Sequence, residues 1–200
     1  MIAVIDYKAG NAPSVLSAIK YLGMGTEAKL VNSPSELENA SRIILPGVGA
    51  AKATMQSLRE AGFIEILGKL VFEKGVLFLG ICIGMQILFE YSDEENADCL
   101  GWLSGNVVRF DSTKVKVPQI GWNKTKFIRD TLMSKNSEED YFYFVNSYHV
   151  ETSDRSIVMS VTEYDGDFVS SVNYKNIFGT QFHVEKSGEA GLALLKRFLR

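Results

Sequence analysis

The stretch "GVLFLGICIGMQILFEY" (75–91) decides the fold. Its first eight residues, "GVLFLGIC" (75–82), are almost continuously apolar, with no polar alternation, which is the pattern of a strand buried on both faces. The run stops at Cys82, and a helix-like pattern begins immediately after it. Such a strand belongs at the centre of a parallel sheet, so its neighbours should also be strands joined by helices. "IAVIDY" (2–7), "EAKLV" (27–31) and "RIILPG" (42–47) supply the strands. "APSVLSAIKYLG" (12–23) reads as a helix, with Ser14 placed to cap it and Gly23 where it should stop. Residues 50–73 carry one or two more helices. This βαβ rhythm predicts a parallel sheet covered by helices.

The second half changes character. "GWLSGNVVRF" (101–110), "YFYFVNSYHV" (141–150), "SIVMSVTEY" (156–164), "FVSSVNY" (168–174) and "IFGTQFHV" (177–184) read as strands separated by short turns, which favours antiparallel pairing. "KSGEAGLALLKRFLR" (186–200) closes the chain as an amphipathic helix, with basic residues near its C-terminal end, where the helix dipole favours them. No repeat, low-complexity tract or linker interrupts the chain. The expectation is one α/β domain over residues 1–200 with a mixed, mostly parallel central sheet flanked by helices.

Composition narrows the function. The 200 residues are 46% hydrophobic and 22% charged, as in soluble globular proteins, and the formal net charge of -3 argues against nucleic acid or an anionic membrane as the main partner. No apolar run approaches the ~20 residues of a membrane-spanning helix. "MIAVIDYKAGN" (1–11) has no basic leader or cleavage region and reads as a strand rather than a signal peptide, so a cytoplasmic location is expected. Cys82 and Cys99 are the only cysteines, and their context suggests neither a disulfide framework nor a metal site.

Residues 80–84, "GICIG", form G-x-C-x-G, the thiol counterpart of a strand–turn–helix nucleophile motif. Gly80 and Gly84 let strand and helix approach closely around a sharp, strained turn. Cys82 would project from the end of the sheet beside the first helical amides, an environment that favours the reactive thiolate. A free cysteine can equally be a small buried hydrophobe, and Cys99 in "NADCLGW" (96–102) is left in that structural role.

A thiolate nucleophile needs a base, and the chain holds two histidines, His149 and His183. Glu185 follows His183 by two residues, and on an extended strand both would point to one face, where the carboxylate could fix the imidazole tautomer. His149 and Glu151 repeat the same spacing, so spacing leaves both histidines open. "LPGVG" (45–49) ends another strand and could aim backbone N–H groups at an oxyanion, or be a plain tight turn. These residues together point to a cysteine hydrolase or acyl transferase. "GVGA" (47–50) lacks the spacing of a nucleotide loop, and no metal cluster is evident, so neither nucleotide nor metal cofactor is expected.

The assembled motifs resemble the class I (triad) glutamine amidotransferases, and within them the glutaminase subunits of imidazole glycerol phosphate synthase. The resemblance runs over "IDYKAGNAPSVLSAI" (5–19), "ILPGVGA" (44–50), "GICIGMQILFE" (80–90), "PQIGWN" (118–123), "YFYFVNSYHV", "TEYDG" (162–166) and "GTQFHVEKS" (179–187). It implies Cys82 as nucleophile, His183 as general acid/base and Glu185 as its orienter. It further implies Gly47, Val48 and Gly49 as the oxyanion segment, and Gln86, Ser147 and Tyr148 as holders of the substrate, L-glutamine. Asn11, Asn123, Tyr143 and Lys186 match positions facing a cyclase or synthase partner in a heterodimer, where ammonia passes. The implied reaction releases ammonia and leaves a γ-glutamyl thioester that water converts to glutamate.

Five positions depart from the family pattern: Lys8, Ala12, Gln119, Asn146 and Val184. Valine favours extended geometry, so Val184 is expected to keep His183 and Glu185 aligned on a strand. The departures as a group are expected to cluster toward the partner. Two further readings follow from the resemblance: a cyclase-like partner that amidates a surface sugar, and a non-catalytic scaffold that only binds its partner.

Overall fold

The computed structural model describes residues 1–7 and 11–200, and Lys8 lies outside them. The first half alternates strand and helix, as the spacing of its apolar residues requires. In chain order come β1 (Ile2–Ile5), α1 (Ala12–Tyr21), β2 (Ala28–Val31), β3 (Arg42–Gly47), α2 (Ala51–Glu60), α3 (Phe63–Gly68) and β4 (Leu77–Cys82). The strands lie parallel in the order β2, β1, β3, β4. Phe78, Leu79 and Ile81 of β4 are fully buried.

After β4 the chain makes a single helical turn, α4 (Ile83–Gln86), much shorter than the apolar pattern "IGMQILFEY" suggests. Short strands β5 (Tyr91–Ser92) and β6 (Ala97–Asp98) follow, then β7 (Asn106–Arg109), β8 (Gln119–Phe127), β9 (Glu139–Asn146), β10 (Tyr148–Glu151), β11 (Val158–Glu163), β12 (Asp167–Tyr174) and β13 (Ile177–Thr180), before α5 (Gly188–Leu199). β13 runs parallel to β4 and antiparallel to β12. Beyond β12 the sheet forks. One branch continues through β10 and β7 to β5 and β6, and the other through β11 and β8 to β9. The α/β class, the mixed sheet and the antiparallel second half match the sequence reading. No helix among the described residues is long and apolar enough to cross a membrane.

Several expectations are corrected. "YFYFVNSYHV" is two strands, because the chain changes branch at Ser147: Asn146 pairs with Gln119 of β8, whereas Tyr148 pairs with Arg109 of β7. "IFGTQFHV" is a strand only to Thr180, whose hydroxyl donates to the Phe182 carbonyl at 3.0 Å as the chain turns. Ser14 does not cap α1; its hydroxyl donates to Asn11 Oδ1 at 2.6 Å, and Asn11 occupies the cap position. The departures Ala12, Gln119, Asn146 and Val184 are all buried, so they pack the interior rather than form a surface patch.

The tightest packing lies around β4. A Cβ on Gly80 would fall 2.2 Å from the Gly84 carbonyl oxygen, and one on Gly84 would fall 2.0 Å from the Leu45 carbonyl oxygen. Leu45 and Gly80 pair in the β3–β4 ladder, so the strand side of both contacts is fixed. Gly84→Ala is therefore expected to lose about 3 kcal/mol or more, in the upper range for overpacking, read by urea denaturation. Gly68→Ala, with open space around its helical Cβ, should be neutral or gain roughly 0.5–1 kcal/mol. Equal stability of the two variants would contradict this packing.

Candidate active site

Cys82 ends β4 with φ 56° and ψ -111°, a conformation that costs a non-glycine residue on the order of 1–3 kcal/mol. The turn is held by β3 on one side, where Gly47 pairs with Cys82, and by β13 on the other, where Thr180 pairs with Ile81. The strained backbone turns the thiol out of the strand. Its sulfur lies 3.8 Å from the Val145 carbonyl oxygen and 3.7 Å from Gln181 Nε2.

His183 and Glu185 do meet, but not on a strand. His183 precedes a single 3₁₀ turn, Val184–Lys186, which curls Glu185 back onto the ring. Its Nδ1 lies 2.9 Å from Glu185 Oε1, and both side chains are buried. Val184 is packed in the core at the start of that turn, so it acts through burial and not through extended geometry. The His183 backbone is clamped to β9: its N–H donates to the Tyr143 carbonyl at 3.0 Å. The Ser187 hydroxyl donates to the His183 carbonyl at 2.6 Å and accepts the Tyr143 N–H at 2.9 Å.

Burial works against a charged His183, yet the Cys82 sulfur and the Glu185 carboxylate beside it hold its pKa up to about 10. Burial likewise opposes the Glu185 charge, but hydrogen bonds from His183 and Asn11 leave that carboxyl below its ordinary value. The group is built to hold an imidazolium between a sulfur and a carboxylate.

His149 is differently placed. It lies on β10, stacked on Phe110 at 4.4 Å, and burial pushes its pKa down. It borders a separate hollow with Glu151, Asp165 and Asp167. Cys99 is half-buried, and burial raises its thiol to about 11.

A cleft of about 290 Å³ opens over Cys82, close to the lower end of small-molecule sites, roughly 300 Å³. Val48, Gly49, Gln86, Ser147, Tyr148 and His183 line it, so the structure gathers most of the sequence-predicted site. Gly47 lies just behind, still within β3. Gln86 Nε2 donates to the Tyr148 carbonyl at 3.1 Å and to Gln181 Oε1 at 2.9 Å, while its own buried Oε1 has no hydrogen-bond partner.

Two residues of this region escaped the sequence reading. Glu94 lines the cleft and accepts the Ala51 N–H at 3.1 Å, its carboxyl raised by burial. In the acidic run "SDEEN" (92–96) nothing distinguishes it from a solvated surface charge. Gln181 stands beside the sulfur, and its only sequence signal is its nearness to His183.

The residues expected at a partner face lie outside the cleft. Asn123 Nδ2 donates to the Glu163 carbonyl at 2.8 Å, Lys186 is exposed, and Tyr143 meets Trp122 edge-on at 6.0 Å. Asn11 instead turns inward, donating from Nδ2 to Glu185 Oε1 at 3.0 Å.

A family model described as glutamine amidotransferase class-I matches residues 3–200. The chain belongs to that family. This amidotransferase is 43% identical over 202 residues to the imidazole glycerol phosphate synthase subunit HisH of Dehalococcoides mccartyi (strain ATCC BAA-2266 / KCTC 15142 / 195), covering 100% of this chain and 97% of that one. It is 40% identical over 202 residues to HisH 2 of Methanococcus maripaludis, covering 100% and 99%. Among solved structures, a glutamine amidotransferase superposes with a TM-score of 0.79 at 21% identity, covering 100% and 97% of the two chains. PurLQS from Thermotoga maritima also gives 0.79, at 20% identity over 99% and 96%. At those identities the two structures share the amidotransferase fold.

With two histidines in the chain, imidazole NMR separates them. The His183 ring should remain protonated until the pH approaches about 10, whereas His149 should stay neutral at and above its ordinary range near 6.5. Two rings titrating together near 6.5 would contradict the buried imidazolium.

Proposed function

We propose that this amidotransferase is the glutaminase subunit of an imidazole glycerol phosphate synthase. It hydrolyses L-glutamine to glutamate and ammonia, and a cyclase partner uses the ammonia to make imidazole glycerol phosphate and AICAR in histidine biosynthesis. The observation that carries the reading is the strained Cys82 turn with the buried His183–Glu185 pair beside its sulfur, at the floor of the cleft.

The chemistry follows from these positions. The Cys82 sulfur attacks the side-chain carboxamide carbon of glutamine, and the carbonyl oxygen takes up the charge. The Val48–Gly49 segment lines the same cleft, and in this reading its backbone N–H groups receive that charge. His183 gives its ring proton to the departing nitrogen, ammonia leaves, and a γ-glutamyl thioester remains. The now neutral imidazole takes a proton from water, whose oxygen attacks the thioester; glutamate leaves and the sulfur is restored. Glu185 holds the tautomer throughout. The Glu94 carboxylate and the unpartnered Gln86 Oε1 are acceptors suited to the α-ammonium of the substrate.

An apolar sheet face supports the heterodimer. Ile120 pairs with Val145 and Trp122 with Tyr143 on β8 and β9, and Ile120, Trp122, Val145 and the nearby Tyr141 are exposed. Val145 touches the site itself through its carbonyl.

Steady-state glutaminase assays of the chain with its co-purified partner test the proposal. Cys82→Ala should abolish glutamate release while leaving the circular dichroism spectrum intact; retained release would end the reading. Glu94→Gln should raise KM for glutamine by roughly 10- to 100-fold with kcat little changed, the worth of a charge-assisted hydrogen bond of about 1.5–3 kcal/mol. An unchanged KM would remove Glu94 from substrate recognition.

A further inference from the structure

We propose that Asn11 is a positioning residue of the triad: its side-chain amide pins the Glu185 carboxylate against His183, and Ser14 anchors that amide from its other end. The resemblance placed Asn11 at a partner face, but its side chain points into the protein. Asn11 Nδ2 donates at 3.0 Å to Glu185 Oε1, the same oxygen that meets His183 Nδ1 at 2.9 Å. One oxygen is therefore fixed from two directions, by a ring two residues before it and by an amide 174 positions away in the chain.

Glu185 fixes which way the amide faces, and Ser14 holds its other end. A carboxylate only accepts, so the nitrogen of Asn11 must face Glu185. Its oxygen then faces the Ser14 hydroxyl, which donates to Oδ1 at 2.6 Å. A flipped amide would set its oxygen against the carboxylate, which has no proton to give. The other oxygen of Glu185, Oε2, is buried with no hydrogen-bond partner, so His183 and Asn11 are the side-chain donors to this carboxylate among the described residues. With Asn11 removed, His183 would be the one side chain left to steer the carboxylate, the ring it is meant to steer.

The electrostatic sign follows. The titratable groups that face His183 are Cys82, from the end of β4, and Glu185, on its own turn; Tyr7, just after β1, stands near Cys82. Asn11 and Ser14 bring no charge. The Glu185 carboxyl lies below its ordinary value, so its charge is present above that folded value and lost as pH falls through it. Losing a donor raises that value, which moves the acid limb of activity to higher pH and weakens the hold on the imidazolium.

The inference rests on the triad reading, and the experiment separates the two. In the full chain, Asn11→Ala, Asn11→Asp and Ser14→Ala are compared with wild type and with Cys82→Ala, by glutamine kinetics against pH and by histidine NMR. For Asn11→Ala, kcat should fall roughly tenfold to a hundredfold, a part of the 10²–10⁴ that a general base contributes. KM should stay within about twofold, because no contact to substrate is lost. The His183 titration midpoint should fall by at least about half a unit while His149 is unmoved, a sign that the fold is intact. Asn11→Asp, which sets a second carboxylate against Glu185, should shift the acid limb further. Ser14→Ala should shift it less, in the same direction.

Wild-type kcat and an unmoved His183 midpoint in Asn11→Ala would overturn the inference. So would a loss that arises only when the partner is added, which would make Asn11 a docking residue. Should Asn11→Ala not fold, Ser14→Ala decides, and a wild-type midpoint there overturns the inference. Retained hydrolysis in Cys82→Ala would instead bring down the triad reading itself.

Discussion

The structure depends on one close approach, in which the backbones of β3, β4 and the α4 turn meet with no room for a side chain at Gly80 or Gly84. With both positions reduced to hydrogen, the turn after β4 can be sharp, and Cys82 is left in a backbone conformation that a free chain would avoid. The parallel ladder on both sides of β4 and its fully buried apolar residues hold that strain. The same register brings the Gly47–Gly49 segment to one side of Cys82 and the exit of β13 to the other. Both arrive at the carboxyl end of the parallel strands, where open α/β sheets form their ligand crevices.

The antiparallel half completes the site. β9 fixes the main chain around His183 through Tyr143 and Ser187 and contributes the Val145 carbonyl beside the sulfur. The break at Ser147, which moves the chain from one branch of the sheet to the other, places Ser147 and Tyr148 on the cleft wall. A buried carboxylate and imidazolium are costly to desolvate and persist only when paired and hydrogen-bonded. Here the pairing extends from His183 through Glu185 to Asn11, at the start of the first helix. The site thus draws on both ends of the chain.

The parts legible from sequence were those set by local pattern. β3 falls where "RIILPG" placed it, and β4 lies within "GVLFLGIC", because a short, continuously apolar run with a glycine at or near its end has few other solutions. Cys82 was legible for the same reason. The pairing of His183 with Glu185 was anticipated, but its geometry was not. An H-x-E spacing fits a strand, while the hydrogen bonds that curl it into a turn come from Thr180, Tyr143 and Ser187, a mixture of local and distant partners. The break at Ser147 was hidden because strand-forming residues resume at once with Tyr148. Glu94 and the inward turn of Asn11 depend on contacts 43 and 174 residues away, beyond any local spacing.

The central claim is that Cys82, at this strained turn, carries the acyl group during turnover. Acid quenching of the chain and its partner during turnover with excess glutamine, followed by peptide mass spectrometry, tests it most directly. The account predicts a glutamyl adduct on the peptide that contains Cys82 and none on the peptide that contains Cys99. Glutamate accumulating with no adduct at Cys82, or an adduct at Cys99, would contradict it.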